Sequence, residues 1–133
     1  MSRSLSGGAA ILTLLGALCL ATGVMAQGAW VAPAAEKAKK NPLPADKKVI
    51  EQGAKVAKVN CVSCHGASGK GDGVAAAALK PKPADWTSTR VQSESDGELF
   101  WKISNGRGPM PPWKHLPEND RWAVIRYIRS LKK

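Results

Sequence analysis

Thiols and imidazoles are scarce in this chain of 133 residues, which has three cysteines and two histidines. A zinc site of the Cys₂His₂ kind would therefore have to use every histidine present. No run of residues alternates apolar and polar, so no strand is signalled. Without strands between helices, the βαβ setting of a thioredoxin-type dithiol is missing. Internal repeats are absent. Acidic residues are outnumbered, 10 against 20 Lys and Arg, for a net charge of +10. That balance suits acidic partners, and nucleic acid as well. The basic residues are scattered, however, and no nucleic-acid-binding motif occurs, so no nucleic-acid partner is expected and the charge is read as serving docking and solubility.

Near the N-terminus, a polar start with one charge at Arg3 leads into the almost wholly apolar Ala9 to Leu20, and Val24-Met25-Ala26 has the small-residue pattern of a cleavage site. Residues 1–26 read as a secretory signal peptide, which implies a periplasmic address. The alternative is an uncleaved anchor over Ala9 to Met25, a length at the lower limit for a spanning helix and weakened by Thr13, Gly16, Thr22 and Gly23. With cleavage, no membrane insertion is expected. Cleavage leaves 107 residues and discards Cys19, so Cys61 and Cys64 are the only cysteines and Met110 the sole methionine. The net charge becomes +9, from 19 basic and 10 acidic residues.

Those two cysteines stand in Cys61-Val62-Ser63-Cys64-His65, the spacing that lets one segment attach a haem covalently and ligate its iron. Thiols three positions apart on a helical turn reach the two vinyl groups of one porphyrin, and the adjacent imidazole lies under the metal. Three other uses of the motif stand beside this one. A redox dithiol lacks its fold setting. Zinc held by Cys61, Cys64, His65 and His115 would require the consecutive residues Cys64 and His65 to ligate one tetrahedral ion, an awkward arrangement. A Cys61–Cys64 disulfide would close too short a loop to constrain much.

Residues 27–45 are rich in Ala, Pro and Lys and read as a linker or extended arm. The folded part, residues 46–133, is small enough that an apolar core alone gives marginal stability, and a buried haem would add hydrophobic mass. Three helices are expected. The first follows Asp46 as N-cap, carries Val49, Gly53 and Val56 on one face, and runs into Cys61. Gly53 inside it is assigned to a close helix approach, with Tyr127 as the expected partner. The second opens on the capping box Ser95-Asp96-Gly97-Glu98, turns Leu99, Phe100 and Ile103 to one side and stops at Gly106. The third begins at Pro117 as N1 and carries Val124, Tyr127, Ile128 and Leu131 at helical spacing.

For the second iron face, Met110 lies in Gly106-Arg107-Gly108-Pro109-Met110-Pro111-Pro112. Glycines let this loop turn sharply and prolines stiffen it, which suits a thioether presented at fixed height over a flat ring; His115 is the rival ligand. Trp86 suggests a haem-propionate contact through its indole N–H and Trp101 and Trp113 suggest pocket lining, each with plain packing as the alternative, and Arg107 a propionate contact or a solvated loop residue.

Taken together, these motifs resemble class I c-type cytochromes, specifically the small bacterial periplasmic monohaem ones. The matching residues are Gly53, Cys61 to Gly66, Gly69-Lys70-Gly71-Asp72-Gly73, Asn105 to Pro111, and Asp120-Arg121-Trp122 through Tyr127 to Leu131. The resemblance implies an all-α cytochrome c fold, one haem c bound through Cys61 and Cys64, His65 and Met110 as axial ligands, and electron transfer as the activity. In that family a proline soon after the motif often supplies the carbonyl that orients the proximal imidazole. Here that position is Val74, so the carbonyl of Val74 or a neighbour is expected to serve. The reading reached is a monomeric respiratory electron carrier with no catalytic residue of its own, docking on acidic redox proteins through Lys70, Lys80, Lys82 and Lys114. A peroxidase-like enzyme with a labile Met110, or a fixed subunit of a larger oxidoreductase, are the alternatives.

Overall fold

In the computed structural model, residues 28–133 are described; the signal peptide, the anchor alternative and Cys19 lie outside them. The helices are α1 (Ala34–Lys37), α2 (Lys47–Asn60), α3 (Val62–His65), α4 (Thr89–Gln92), α5 (Asp96–Asn105) and α6 (Glu118–Ser130), with a 3₁₀ turn at Ala76–Ala78. Among the described residues there is no strand, only an isolated bridge between Arg107 and Met110. No described helix is long and apolar enough to cross a membrane. The three expected helices are α2, α5 and α6.

Each starts for a local reason. The Asp46 carboxylate accepts from the Val49 N–H at 2.9 Å at the head of α2. Ser95 Oγ accepts from the Glu98 N–H at 3.1 Å at the head of α5. At α6 the proline sits one position earlier than expected, as the N-cap, and its carbonyl takes the N–H groups of Asp120 and Arg121. The reciprocal half of the capping box at α5 is not made. The Glu98 carboxylate, 6 % exposed, turns instead to Lys102 at 3.1 Å and Lys37 at 3.4 Å.

Helix α2 packs across α6, the most extensive helix pair among the described residues. The crossing is tight at Gly53, where a Cβ would overlap the Ala123 carbonyl and lie 3.0 Å from Tyr127 Cβ. Tyr127 is the expected neighbour, but the Ala123 backbone is closer still. A helical glycine costs about 1 kcal/mol relative to alanine, and the close approach of two backbones offsets it. The core beside this crossing contains Ala57, Trp86, Val91, Leu99, Phe100, Trp122, Val124, Ile125 and Ile128. The buried stripe of α6 is thus wider than the Val124, Ile128 and Leu131 row, because α2 and α5 lie on different sides of it. Phe100 stacks on Trp122 with centroids 3.9 Å apart, joining α5 to α6.

The segment read as a linker or arm is extended apart from α1, and it is packed. Ala32 is 4 % exposed, Asn41 donates to the Trp122 carbonyl at 3.0 Å, and Arg126 donates to the Leu43 carbonyl at 2.9 Å. Packing therefore begins upstream of Asp46.

Two stability measurements follow. Gly53→Ala raises helix propensity yet forces α2 away from α6; overpacking of about 1–3 kcal/mol should exceed the gain, so the unfolding temperature falls. A temperature at or above the parent's would contradict the tight crossing. For Glu98, burial pushes the carboxyl up, but hydrogen bonds and charge from Lys102 and Lys37 outweigh it and leave the group below its ordinary 4.5. A depressed carboxyl stabilises the fold above its unfolded pKa and ceases to as pH falls through the folded one. Glu98→Gln should cost about 1–3 kcal/mol at pH 7, and denaturant titrations should show that gap closing below about pH 4.5. A gap constant with pH would remove the ion pairs from the account.

Candidate haem-attachment site

Helix α2 delivers the chain directly into the cysteine motif. The Cys61 N–H bonds to the Ala57 carbonyl at 2.8 Å, and the Cys61 carbonyl then accepts from Cys64 at 3.2 Å and His65 at 2.9 Å. Cys61 to His65 is thus one helical turn, with both cysteines half-buried as free thiols. Burial, with a smaller contribution from the charge of Cys64, pushes the Cys61 thiol from 9.0 to about 11. That is opposite to the lowered pKa of a redox dithiol. His115 is exposed on the loop before α6, with Trp113 at 5.4 Å, and among the described residues no group of three or more His, Cys, Asp or Glu could hold a metal ion. Neither the zinc nor the disulfide alternative matches this arrangement.

His65 is held by one directional contact, a hydrogen bond from Nδ1 to the Ala84 carbonyl at 3.0 Å. A carbonyl only accepts, so Nδ1 carries the proton and Nε2 keeps its lone pair. Burial lowers the imidazole pKa below 6.5, and the Ala84 bond only partly opposes this, so the ring is neutral at neutral pH. Nε2 has no hydrogen-bond partner among the described residues. Trp86 stacks on the ring with centroids 4.5 Å apart and planes at 23°, and Tyr127 meets Trp86 edge-on at 6.3 Å. Trp86 is a buried core residue.

The carbonyl is Ala84 rather than Val74 or a neighbour, a correction with a clear cause. Gly73 and Ala75 donate to the carbonyls of Cys64 and Ser63, which ties that stretch along the flank of α3 and leaves Val74 96 % exposed. The chain then returns through Pro83, passes so close to Gly71 that a Cβ there would overlap the Pro83 carbonyl, and brings the Ala84 carbonyl to Nδ1 of the imidazole. A readable signal existed in Pro81-Lys82-Pro83, a proline-stiffened stretch ending just before Ala84.

Met110 stands on a separate loop anchored to the end of α5. Arg107 and Met110 exchange backbone hydrogen bonds at 2.9 and 3.1 Å. The loop folds back so closely on Gly106, at φ 62°, that a Cβ there would overlap the Met110 carbonyl and lie 2.6 Å from Pro112 N. Trp113 N–H then bonds to the Ile103 carbonyl at 3.1 Å. Met110, Trp101 and Trp113 are half-buried, and Lys70, Lys80, Lys82 and Lys114 are exposed.

The residues present suit a covalent haem. Two thiols lie on one turn, an oriented imidazole keeps a free nitrogen, and Cys61, Ala84 and Ile103 form a half-buried apolar margin to the core. This fit rests on the donor set. A surface groove of about 530 Å³ runs along the outer flank of α3 past Val62, Ser63, Gly66, Asp72 and Val74 and includes none of the donors.

Solved structures with a similar fold include these two. One is a chain of the reducing HAO-like protein complex Kustc0457/Kustc0458 of Kuenenia stuttgartiensis, 29 % identical with a TM-score of 0.61, covering 69 % of this chain and 47 % of that one. This chain thus spans about half that neighbour's length. The other is KustC0563 c-type cytochrome, 24 % identical with a TM-score of 0.53, covering 61 % of this chain and 98 % of that one; at that identity it supports the all-α fold alone. No curated protein matches. Residues 48–128 match the family described as cytochrome C oxidase, cbb3-type, subunit III. With more than half its length in that match and the cysteine motif inside it, the chain is a small c-type cytochrome belonging to this family, with the covalent haem c and haem-based electron transfer that membership implies.

Proposed function

We propose that the chain is a periplasmic monohaem carrier of single electrons, attaching its haem through Cys61 and Cys64 and ligating the iron with His65 and Met110. The observation that carries this reading is the His65–Ala84 hydrogen bond, which places the proton on Nδ1 and leaves Nε2 free as the donor. Bound haem supplies a metal that cycles between ferric and ferrous states. The chain's residues set how that happens. Ala84 holds the Nδ1 proton and so strengthens Nε2 as a donor. The hairpin at Arg107–Met110 and its packing on Gly106 restrict where the thioether can stand. A soft, uncharged thioether favours the ferrous state relative to a second imidazole and raises the potential. With His65 and Met110 both holding the iron, a bound haem would leave no position open to substrate, which favours a carrier over a peroxidase-like enzyme.

A second reading, a fixed electron-entry subunit of a larger oxidoreductase, has support in the family description and in the neighbour drawn from a protein complex. Native purification separates the two: the free carrier elutes alone, and the subunit elutes with partners.

Three outcomes are expected of the mature protein. It carries one haem per chain after denaturation and solvent extraction, and Cys61→Ala/Cys64→Ala carries none. The ferric form shows a methionine-to-iron charge-transfer band that Met110→Ala abolishes; a high-spin, ligand-open parent spectrum would sink the carrier. The exposed lysines at 70, 80, 82 and 114 should speed encounter with acidic redox proteins, so the association rate falls about tenfold or more from low salt to physiological ionic strength. A rate indifferent to salt removes acidic docking from the proposal.

A further inference from the structure

The segment 30–43 grips the two helices that frame the Met110 loop. Trp30 receives Lys102 of α5 over its ring, Nζ 5.5 Å from the centroid. Ala32 is buried. The backbone of residues 36–39 lies against α5 at Gly97, where a Cβ would overlap the Glu36 carbonyl and stand 2.8 Å from that of Lys39 and 3.1 Å from that of Lys37. Ser95 Oγ donates to the Lys37 carbonyl at 2.8 Å, and Lys37 Nζ reaches Glu98 at 3.4 Å. Further on, Asn41 donates to the Trp122 carbonyl and Arg126 donates to the carbonyls of Asn41 and Leu43. One face of α5 is therefore closed by this segment and another by α6, through Phe100 on Trp122 and Arg129 on Asp96 at 2.8 Å.

Helix α5 is also the element on which the methionine loop rests. Its end is capped by Gly106, whose N–H bonds to the Lys102 carbonyl at 2.9 Å, and the loop returns to it through Met110, Pro112 and the Trp113–Ile103 hydrogen bond. Lys102 thus joins three things, since it sits over Trp30, pairs with Glu98 at 3.1 Å and Glu94 at 2.8 Å, and supplies the cap carbonyl. A ten-residue helix moves as a rigid rod, so a shift at Gly97 reaches Gly106.

We infer that residues 30–43 are a positioning strap: by clamping α5 against α6 they hold the Met110 loop in place, and lifting the strap frees the methionine while leaving Cys61, Cys64 and His65 engaged. The inference rests on the proposed ligation by Met110. It gives the N-terminal segment control over whether the second axial position is filled.

Two full-length variants test it. Gly97→Ala improves the helix propensity of α5 but displaces the strap backbone, and Trp30→Ala/Lys37→Ala removes the strap's side-chain grips on α5 without altering the sequence of α5. Each ferric haem-loaded protein is heated while the methionine-to-iron charge-transfer band and the far-ultraviolet helix signal are followed together. In the parent the two signals should be lost together. In both variants the band should vanish at least about 5 °C before the helix signal, with haem content unchanged. Band and helix midpoints that stay together in both variants, whether or not they fall, would overturn the inference and leave the strap a contributor to fold stability only. A parent with no band overturns the Met110 ligation itself, which is distinguishable because it is seen before any variant is compared.

Discussion

Helix α2 runs straight into the cysteine motif and crosses α6 at backbone distance, and that crossing depends on the bare face of Gly53 against the Ala123 carbonyl. The Cys61 N–H takes the last regular helical bond of α2, and α3 starts on the same residue. The turn bearing both thiols and His65 therefore inherits its position from the α2–α6 contact. Helix α6 presents Trp122 to α5 and, through the Trp122 carbonyl and Arg126, receives the N-terminal strap. The proximal side thus hangs from α2 and the Met110 side from α5, with α6 common to both.

The two sides are built by different physics. Around His65 the contacts are short and directional: one carbonyl at Nδ1, one indole against the ring, and loop backbone returning through Gly71 and Gly73. Around Met110 the restraint is steric, from a hairpin folded onto Gly106 and stiffened by flanking prolines. A directional contact fixes a protonation state and ring plane, which a ligating imidazole needs. A steric one restricts the reach of a flexible thioether, a side chain with no strong hydrogen bond of its own to orient it.

What was legible in the sequence was local. Asp46 and Ser95 cap the helices they were expected to cap, and Pro117 missed its helix start by one position. Gly53 and Tyr127 were paired correctly because helical spacing alone puts both on facing sides. The five-residue motif forms one turn because its donors are neighbours in sequence. Ala84 was not legible as the imidazole's partner, since it stands 19 residues from His65 and its arrival depends on a loop path set by nonlocal backbone bonds. The strap was hidden for the same reason. Its Ala, Pro and Lys composition reads as a linker, and its binding places, the Gly97 face and Glu98 on α5 and the Trp122 carbonyl and Arg126 on α6, lie on helices distant in sequence. Glu98 likewise left its capping role for Lys102, one turn along its own helix, and for Lys37, which is distant in sequence.

The central claim is a small cytochrome whose haem is held between His65 and Met110. Proton NMR of the ferrous, mature protein tests it most directly, because Met110 is the sole methionine of residues 27–133 and its methyl signal needs no assignment. Ligation predicts that this methyl is shifted far upfield by the ring current of the adjacent porphyrin and that Met110→Ala removes the signal. A methionine methyl at its ordinary position in the folded, haem-bearing protein would contradict the claim.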